Sequence, residues 1–317
     1  MDLAETTAPV NGLDHPALVY GSVDEFLVAM VPYVEAGIDR GEPVFAAVGT
    51  EEASALRAEV GDVRGVHVQD TNEWHPVPAT RLRAFHLFVN EQLRAGAGRI
   101  RLAGEPVWGA VGRPEFVREW ARYESILNAV LAPFPVTLVC TYPEWRLDPE
   151  IVQDALLTHP SLGINGGSRP SEHFEDPASL VARWNPPLSP PPADAERAAP
   201  VQPTAARAFV TEKAERGGVS PRRILDLVLA TSEIASNVMA HGGGRATLLS
   251  WRDGDYFVCQ IEDEGAGLAD VLAGYRPPSL AQESGRGLWL ARQVVDLLQI
   301  VPTPTGTAVR LYVRIGD

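Results

Sequence analysis

Three polar residues recur every four positions in the stretch TSEIASNVMAHGGG, namely Glu233, Asn237 and His241. With that spacing they fall along one side of a helix. An amide oxygen at Asn237 can complete the oxygen-rich octahedral shell that magnesium demands. The carboxylate of Glu233, one turn away, can hold a water or take a proton. The same spacing also fits the solvated face of any amphipathic helix, so the neighbouring motifs decide. Downstream, Asp263-Glu-Gly265-Ala-Gly267 follows the alternating run YFVCQIE, which reads as a half-buried strand. An aspartate at a strand end can accept a hydrogen bond from the exocyclic amine of adenine, and glycines let backbone pass close to a ring and its phosphates. Gly285-Arg286-Gly287-Leu288 then opens the apolar helix LWLARQVVDLL, and the free N–H groups at such a helix start suit phosphate. Either glycine patch alone fits an ordinary turn. In this order the three suit one ligand, ATP with magnesium.

The helix that must carry the first patch has clear ends. Ser220 followed by Pro221 reads as an N-cap with proline at the first helical position, and the Gly242 to Gly244 run stops the helix just past His241. At 100° per residue, Ile224, Leu227, Val228, Ile234, Ala235 and Val238 form its apolar stripe. Glu233 lies opposite that stripe, with Asn237 and His241 turning towards its edge.

Together these patches resemble the N, G1 and G2 boxes of the GHKL, or Bergerat-fold, ATPase superfamily, and the final GTAVRLYV resembles its closing strand. Ser232-Glu233, then Asn237 and His241-Gly242, with a short lid before the last box, is most similar to the anti-sigma-factor serine kinases. The resemblance covers roughly residues 200 to 317 and implies an α/β-sandwich ATP-binding domain. It implies Glu233 as general base, Asn237 as magnesium ligand, Asp263 as adenine reader, Gly285 with Gly287 as phosphate cradle, and Thr307 beside the adenine. His241, Gly265, Gly267, Arg286 and Leu288 would complete the nucleotide pocket. The lid, residues 268 to 284, is short and contains Pro277-Pro278, which stiffens it.

A chain of 317 residues has room for two domains, at roughly 150 residues each. The net charge of −14, with no Lys/Arg run, argues against nucleic acid as a direct partner. Cys140 and Cys259 are the two cysteines; both sit in strand-like apolar runs without metal-type spacing and read as reduced core residues. Met1 to Asp14 is acidic with no apolar core, and no apolar run reaches membrane-spanning length. The expectation is a cytoplasmic protein.

Residues 16 to 160 alternate between β-rich runs and helical patterns, the former at Ala17–Tyr20, Pro43–Val48, Val66–Gln69, Arg99–Ala103 and Val136–Thr141. This predicts a parallel sheet with helices on both faces, and ligands beyond the carboxyl ends of its strands, near Gly49-Thr50, Asp70, Gly104-Glu105 and Tyr142. No GxxxxGK[ST] follows any strand, so a working P-loop is not expected. Two polar residues interrupt apolar helical stripes: Glu124 among Phe116, Trp120, Tyr123, Leu127 and Leu131, and His86 among Leu82, Phe85, Val89 and Leu93. A carboxylate in such a place must be paired or protonated. Both residues fit either satisfied inter-helix groups or a sensory crevice.

The run HPALVYGSVDEFLVAMVPYVEAGIDRGEPVFAAV, with RLAGEPVWG and CTYPEWRLDPE later, resembles the MEDS sensory domain, a RecA-like α/β module of regulators. The resemblance implies an input module for a small-molecule signal, with His86, Glu105, Glu124 and Tyr142 as its candidate residues. Trp184 to Pro203 is proline-rich and reads as a semi-rigid spacer. The expected division is therefore 1–186 sensory, 187–203 linker and 204–317 ATPase. The whole then reads as a sensor joined to a kinase that phosphorylates an anti-sigma antagonist protein and sequesters a sigma factor, with a homodimer plausible by the same resemblance. A non-catalytic, ATP-gated binding module needs the same pocket. A sensor histidine kinase is the lesser alternative, because RLRAFHLFVNEQ around His86 is not an H-box and no dimerisation hairpin precedes the ATPase region.

Overall fold

A computed structural model describes residues 12–107, 113–185, 187–199, 202–241, 243, 245–268, 270–278 and 285–316. The chain divides between Leu180 and Val181 into two compact units.

In the first unit strands and helices alternate: β1 (Leu13–Asp14), β2 (Pro16–Tyr20), α1 (Val23–Arg40), β3 (Val44–Val48), α2 (Thr50–Val60), β4 (Val66–Asp70), α3 (Pro78–Arg94), β5 (Ile100–Gly104), α4 (Pro114–Val130), β6 (Val136–Pro143), α5 (Pro149–Thr158), β7 (Ser161–Leu162) and β8 (Arg169–Pro170). The sheet order is β4-β3-β5-β6-β2-β7-β8, with β1 also on β6. Its ladders are parallel except for β7 with β8. Strand β3 shows why the sheet is covered on both sides. Val44, Ala46 and Val48 pack with Phe26, Met30 and Val34 of α1 and Leu56 of α2, while Phe45 stacks on Trp74 and on Phe85 and Phe88 of α3. A strand apolar on both faces is stable only inside such a parallel sheet. Helix α1 is held at its ends by the Ser22 hydroxyl, which accepts from the Glu25 N–H, and by Gly41 at φ 66°.

A short helix, α6 (Pro177–Arg183), spans the division. The second unit then contains β9 (Glu196–Ala198), α7 (Pro203–Arg216), α8 (Pro221–His241), β10 (Ala246–Asp253), β11 (Tyr256–Asp263), α9 (Arg286–Val294), β12 (Leu297–Thr303) and β13 (Gly306–Arg314). Its antiparallel sheet runs β12-β13-β11-β10-β9. Cys259, Ile261, Val309 and Leu311 form one core with Val210 of α7, Leu227, Ile234 and Val238 of α8, and Ala291 of α9. Along the same strands Gln260 and Arg310 alternate to the opposite face, yet both are buried. That face therefore needs polar cover. Arg310 donates to the Gln260 amide oxygen at 2.6 Å and to the Ser189 carbonyl at 2.6 Å, and the Asn185 amide donates to the Ile300 carbonyl at 2.7 Å.

Two expectations change here. The proline-rich stretch supplies strand β9 and the Ser189 contact to this sheet, because a buried guanidinium holds it there. Ser220 occupies the N-cap by backbone, its carbonyl accepting from the Ile224 N–H, but its buried hydroxyl has no hydrogen-bond partner among the described residues. The expected stops at Gly242 and Gly244 lie outside the described residues, as does part of the lid, residues 269 and 279–284.

Candidate functional site

Helix α8, the ends of β11 and β13, and the start of α9 enclose a cavity of about 1080 Å³ in the second unit. Asn237 and His241 reach it from α8; Asp263, Gly265 and Gly267 from the turn after β11; Gly285 and Leu288 from the start of α9; and Thr307 from β13. Asp263 is fixed before any ligand arrives. Its Oδ1 accepts from the Gly265 N–H at 2.9 Å and the Thr307 N–H at 3.1 Å, which leaves Oδ2 for a donor from the cavity. Gly267 and Gly285 have φ of 84° and 83°, a region in which a side chain is strained. Gly285 caps α9, so the first N–H groups of that helix are free of helical partners.

Glu233 and Gly287 are absent from the cavity wall. They lie against each other, since a Cβ on Gly287 would stand 2.6 Å from Glu233 Oε2 and 3.5 Å from the Asn237 amide nitrogen. Arg286 is exposed. Sequence reasoning passed over Gly306, where a Cβ would strike the Asp263 carbonyl, and Gly274, at φ 78°, where a Cβ would lie 2.9 Å from that of Leu288. Both belong to plain turn sequences that carry no local signal. Arg276, Pro277 and Pro278 also line the cavity, so the short lid forms part of its wall.

In the first unit the sensory candidates separate into three places. Glu105, just beyond β5, is buried, and its Oε2 accepts from the Gly49 N–H at 3.1 Å and the Tyr20 hydroxyl at 3.2 Å. Glu52 is buried beside it with one oxygen on Arg146 at 2.7 Å. Burial, and then the Glu52 charge, push the Glu105 carboxyl up to about 7 against the hydrogen bonds that favour its ionised form. At the same strand ends the Thr50 hydroxyl donates to Asp70 at 2.6 Å. Glu124 and Tyr142 meet elsewhere, the Tyr142 hydroxyl donating to Glu124 Oε2 at 3.2 Å. His86 is half-buried on α3, edge-on to Phe134, with Asn90 as its polar neighbour. None of its described contacts joins it to the other three. Glu52, Arg146 and Tyr20 were not foreseen, because they converge only when α2, the end of β2 and the turn after β6 come together.

The second unit thus combines a five-stranded antiparallel sheet with helices on one face and a glycine-lined cavity between the long helix and a strand-end aspartate. Residues 197–313 match the family model of the histidine kinase-like ATPase domain. Residues 14–160 match that of MEDS, the MEthanogen/methylotroph, DcmR Sensory domain. The chain thus joins a MEDS domain to a histidine kinase-like ATPase domain. Among solved structures, that of the RsbU and RsbW domains of a Mycobacterium tuberculosis protein is similar at 20% identity with a TM-score of 0.30, over 39% of this chain and 33% of that one. No curated protein matches the chain. Among the described residues no helix is long and apolar enough to cross a membrane.

Proposed function

We propose that the second unit binds ATP with magnesium and acts as a serine/threonine protein kinase on an anti-sigma antagonist protein, sequestering a sigma factor when the antagonist is modified. The MEDS unit would set this activity in response to a small-molecule signal. The observation that carries the reading is the Asp263 carboxylate, pre-set by two backbone N–H groups in a cavity shared with Asn237 and the start of α9.

The residues fit the group. The cavity, at about 1080 Å³, has room for a nucleotide, and Gly267 and Gly285 hold backbone conformations that let the chain pass close to phosphates. In this reading Asp263 Oδ2 accepts from the adenine amine, Thr307 lies beside the ring, the α9 N–H groups receive phosphate oxygens, and Asn237 holds magnesium. Bound ATP would supply the phosphoryl group and magnesium would neutralise its developing charge. Glu233 would take the proton from the protein hydroxyl.

One observation favours a second reading, an ATP-gated binding module without phosphoryl transfer. Glu233 packs against Gly287 and is not on the cavity wall. Glu233→Gln separates the two, since a general base contributes roughly 10²- to 10⁴-fold to rate and need not affect ground-state binding. The kinase reading expects unchanged ATP affinity by calorimetry and lost transfer of labelled phosphate to an acid-stable site on the antagonist. Wild-type protein that binds ATP and a sigma factor but labels no antagonist leaves the gated module standing. Label on a histidine of this chain would instead favour a histidine kinase.

A further inference from the structure

We propose that the first unit binds one divalent transition-metal ion, zinc by its donor chemistry, between His15, Glu124, Cys140 and His159. The four residues are far apart in sequence and come from separate elements: the link between β1 and β2, the middle of α4, strand β6, and the residue capping α5. All four are buried, none more than 2% exposed. One ligand atom from each lies within 4.8 Å of those of the others.

The hydrogen bonds around the cluster fix which atoms face inward. The Asn128 amide nitrogen donates to the carbonyls of Thr158 at 2.7 Å and Ser125 at 3.2 Å, so the oxygen of that amide is the group facing His15 Nδ1 at 2.9 Å. An amide oxygen only accepts, and Nδ1 of His15 therefore carries the proton. Nδ1 of His159 lies 2.9 Å from the Ala155 carbonyl and carries its proton for the same reason. With Nδ1 committed outward in each ring, Nε2 is the atom that each ring presents to the cluster. That of His15 is 3.2 Å from Cys140 Sγ, and that of His159 is 3.2 Å from Glu124 Oε2. The second approach has no hydrogen-bond geometry, and His159 Nε2 has no hydrogen-bond partner among the described residues although the residue is wholly buried. Two lone pairs facing each other at that distance repel unless a proton or a metal cation sits between them, and the lack of hydrogen-bond geometry points to the metal.

A divalent cation satisfies every member of this set. Two imidazoles, a thiolate and a carboxylate together carry two negative charges, so the filled site is neutral, as burial demands. Zinc–nitrogen and zinc–sulfur bonds of about 2.0–2.3 Å in a tetrahedron put neighbouring ligand atoms about 3.3–3.8 Å apart, close to the 3.2 Å approaches found. Soft sulfur with imidazole selects zinc over magnesium or calcium. The outer partners follow the pattern of metal centres: each Nδ1–H goes to an oxygen, and the Tyr142 hydroxyl orients the carboxylate. Four protein donors leave no open position, which makes this a closed site that ties β6, α4 and the end of α5 together.

The test uses untagged full-length protein. Elemental analysis after exhaustive dialysis should find one zinc per chain. Exchange for cobalt(II) should give a thiolate-to-cobalt charge-transfer band, lost in Cys140→Ala and kept in Cys259→Ser, whose sulfur lies in the other unit. His159→Gln should weaken metal retention at least tenfold against a chromophoric chelator, with the first unit's own unfolding transition in calorimetric scans as a check that this unit is folded. Folded wild-type protein that holds no zinc and gives no cobalt–thiolate band overturns the proposal, whatever the variants do. So does a band that survives Cys140→Ala.

Discussion

Asp263 illustrates how a single side chain can serve fold and ligand through different atoms. Oδ1 is committed to the Gly265 and Thr307 amides, while under the proposed function Oδ2 would accept from adenine. Asp263→Asn can keep the first role and reverse the second, placing an N–H₂ donor where an acceptor is needed. We expect a thermal midpoint close to wild type but ATP affinity lower by about 1.5–3 kcal/mol, roughly 10- to 150-fold by calorimetry. Glu105 gives a pH signature in the other unit. Its folded-state value of about 7 exceeds the ordinary 4.5, so the folded chain holds the extra proton between those values. Stability from this group is fully present below pH 4.5, falls as pH rises through 7, and levels off above. The facing groups are Glu52, Tyr20 and Arg146. Glu105→Gln should flatten that slope in denaturant titrations from pH 4.5 to 8, by up to a few kcal/mol. The sequence marks Glu105 as a strand-end residue, but its high proton affinity comes from burial and then from Glu52, which no local pattern reveals.

At the scale of elements, the cavity depends on close approaches that only glycine allows, and these differ in what they touch. At Gly287 an added methyl would meet the end of the Glu233 side chain, which can swing aside. At Gly306 it would meet the backbone of Asp263, which cannot move without opening the β11–β13 ladder. Gly287→Ala should therefore leave the unfolding midpoint nearly unchanged while lowering phosphoryl transfer, whereas Gly306→Ala should cost about 3 kcal/mol or more. Paired denaturation and kinase assays would check both. The lid root has its own anchor, with Tyr275 under the Arg292 guanidinium at 3.7 Å and Arg292 donating to the Leu298 carbonyl at 2.9 Å. Helix α8 was legible from its strong apolar period and β3 from its unbroken apolar run, whereas the helix expected to run through Leu298 ends at Val294, and Leu297 opens β12. The anchors were not, since Tyr275 and Arg292 read as ordinary members of a turn and a helix.

For the molecule as a whole, two separate cores predict two separable unfolding events. ATP with magnesium at 100 times its dissociation constant should stabilise only the ATPase unit, by about 2.7 kcal/mol, on the order of 8 °C. Calorimetric scans in which both transitions shift equally would contradict independent cores. From its length the sequence is expected to form two domains. It read the stretch before α7 as spacer because proline composition says nothing of a buried Arg310 awaiting a carbonyl. The outer strands carry a further consequence. Strand β12 contains Pro302, β8 contains Pro170, β9 is three residues long, and the Val68 carbonyl of β4 is taken by the Arg57 guanidinium at 2.7 Å. Each of these features makes its margin a poorer template for an incoming strand. Blunted edges of this kind disfavour strand addition, and with it edge-to-edge polymerisation of crowded copies.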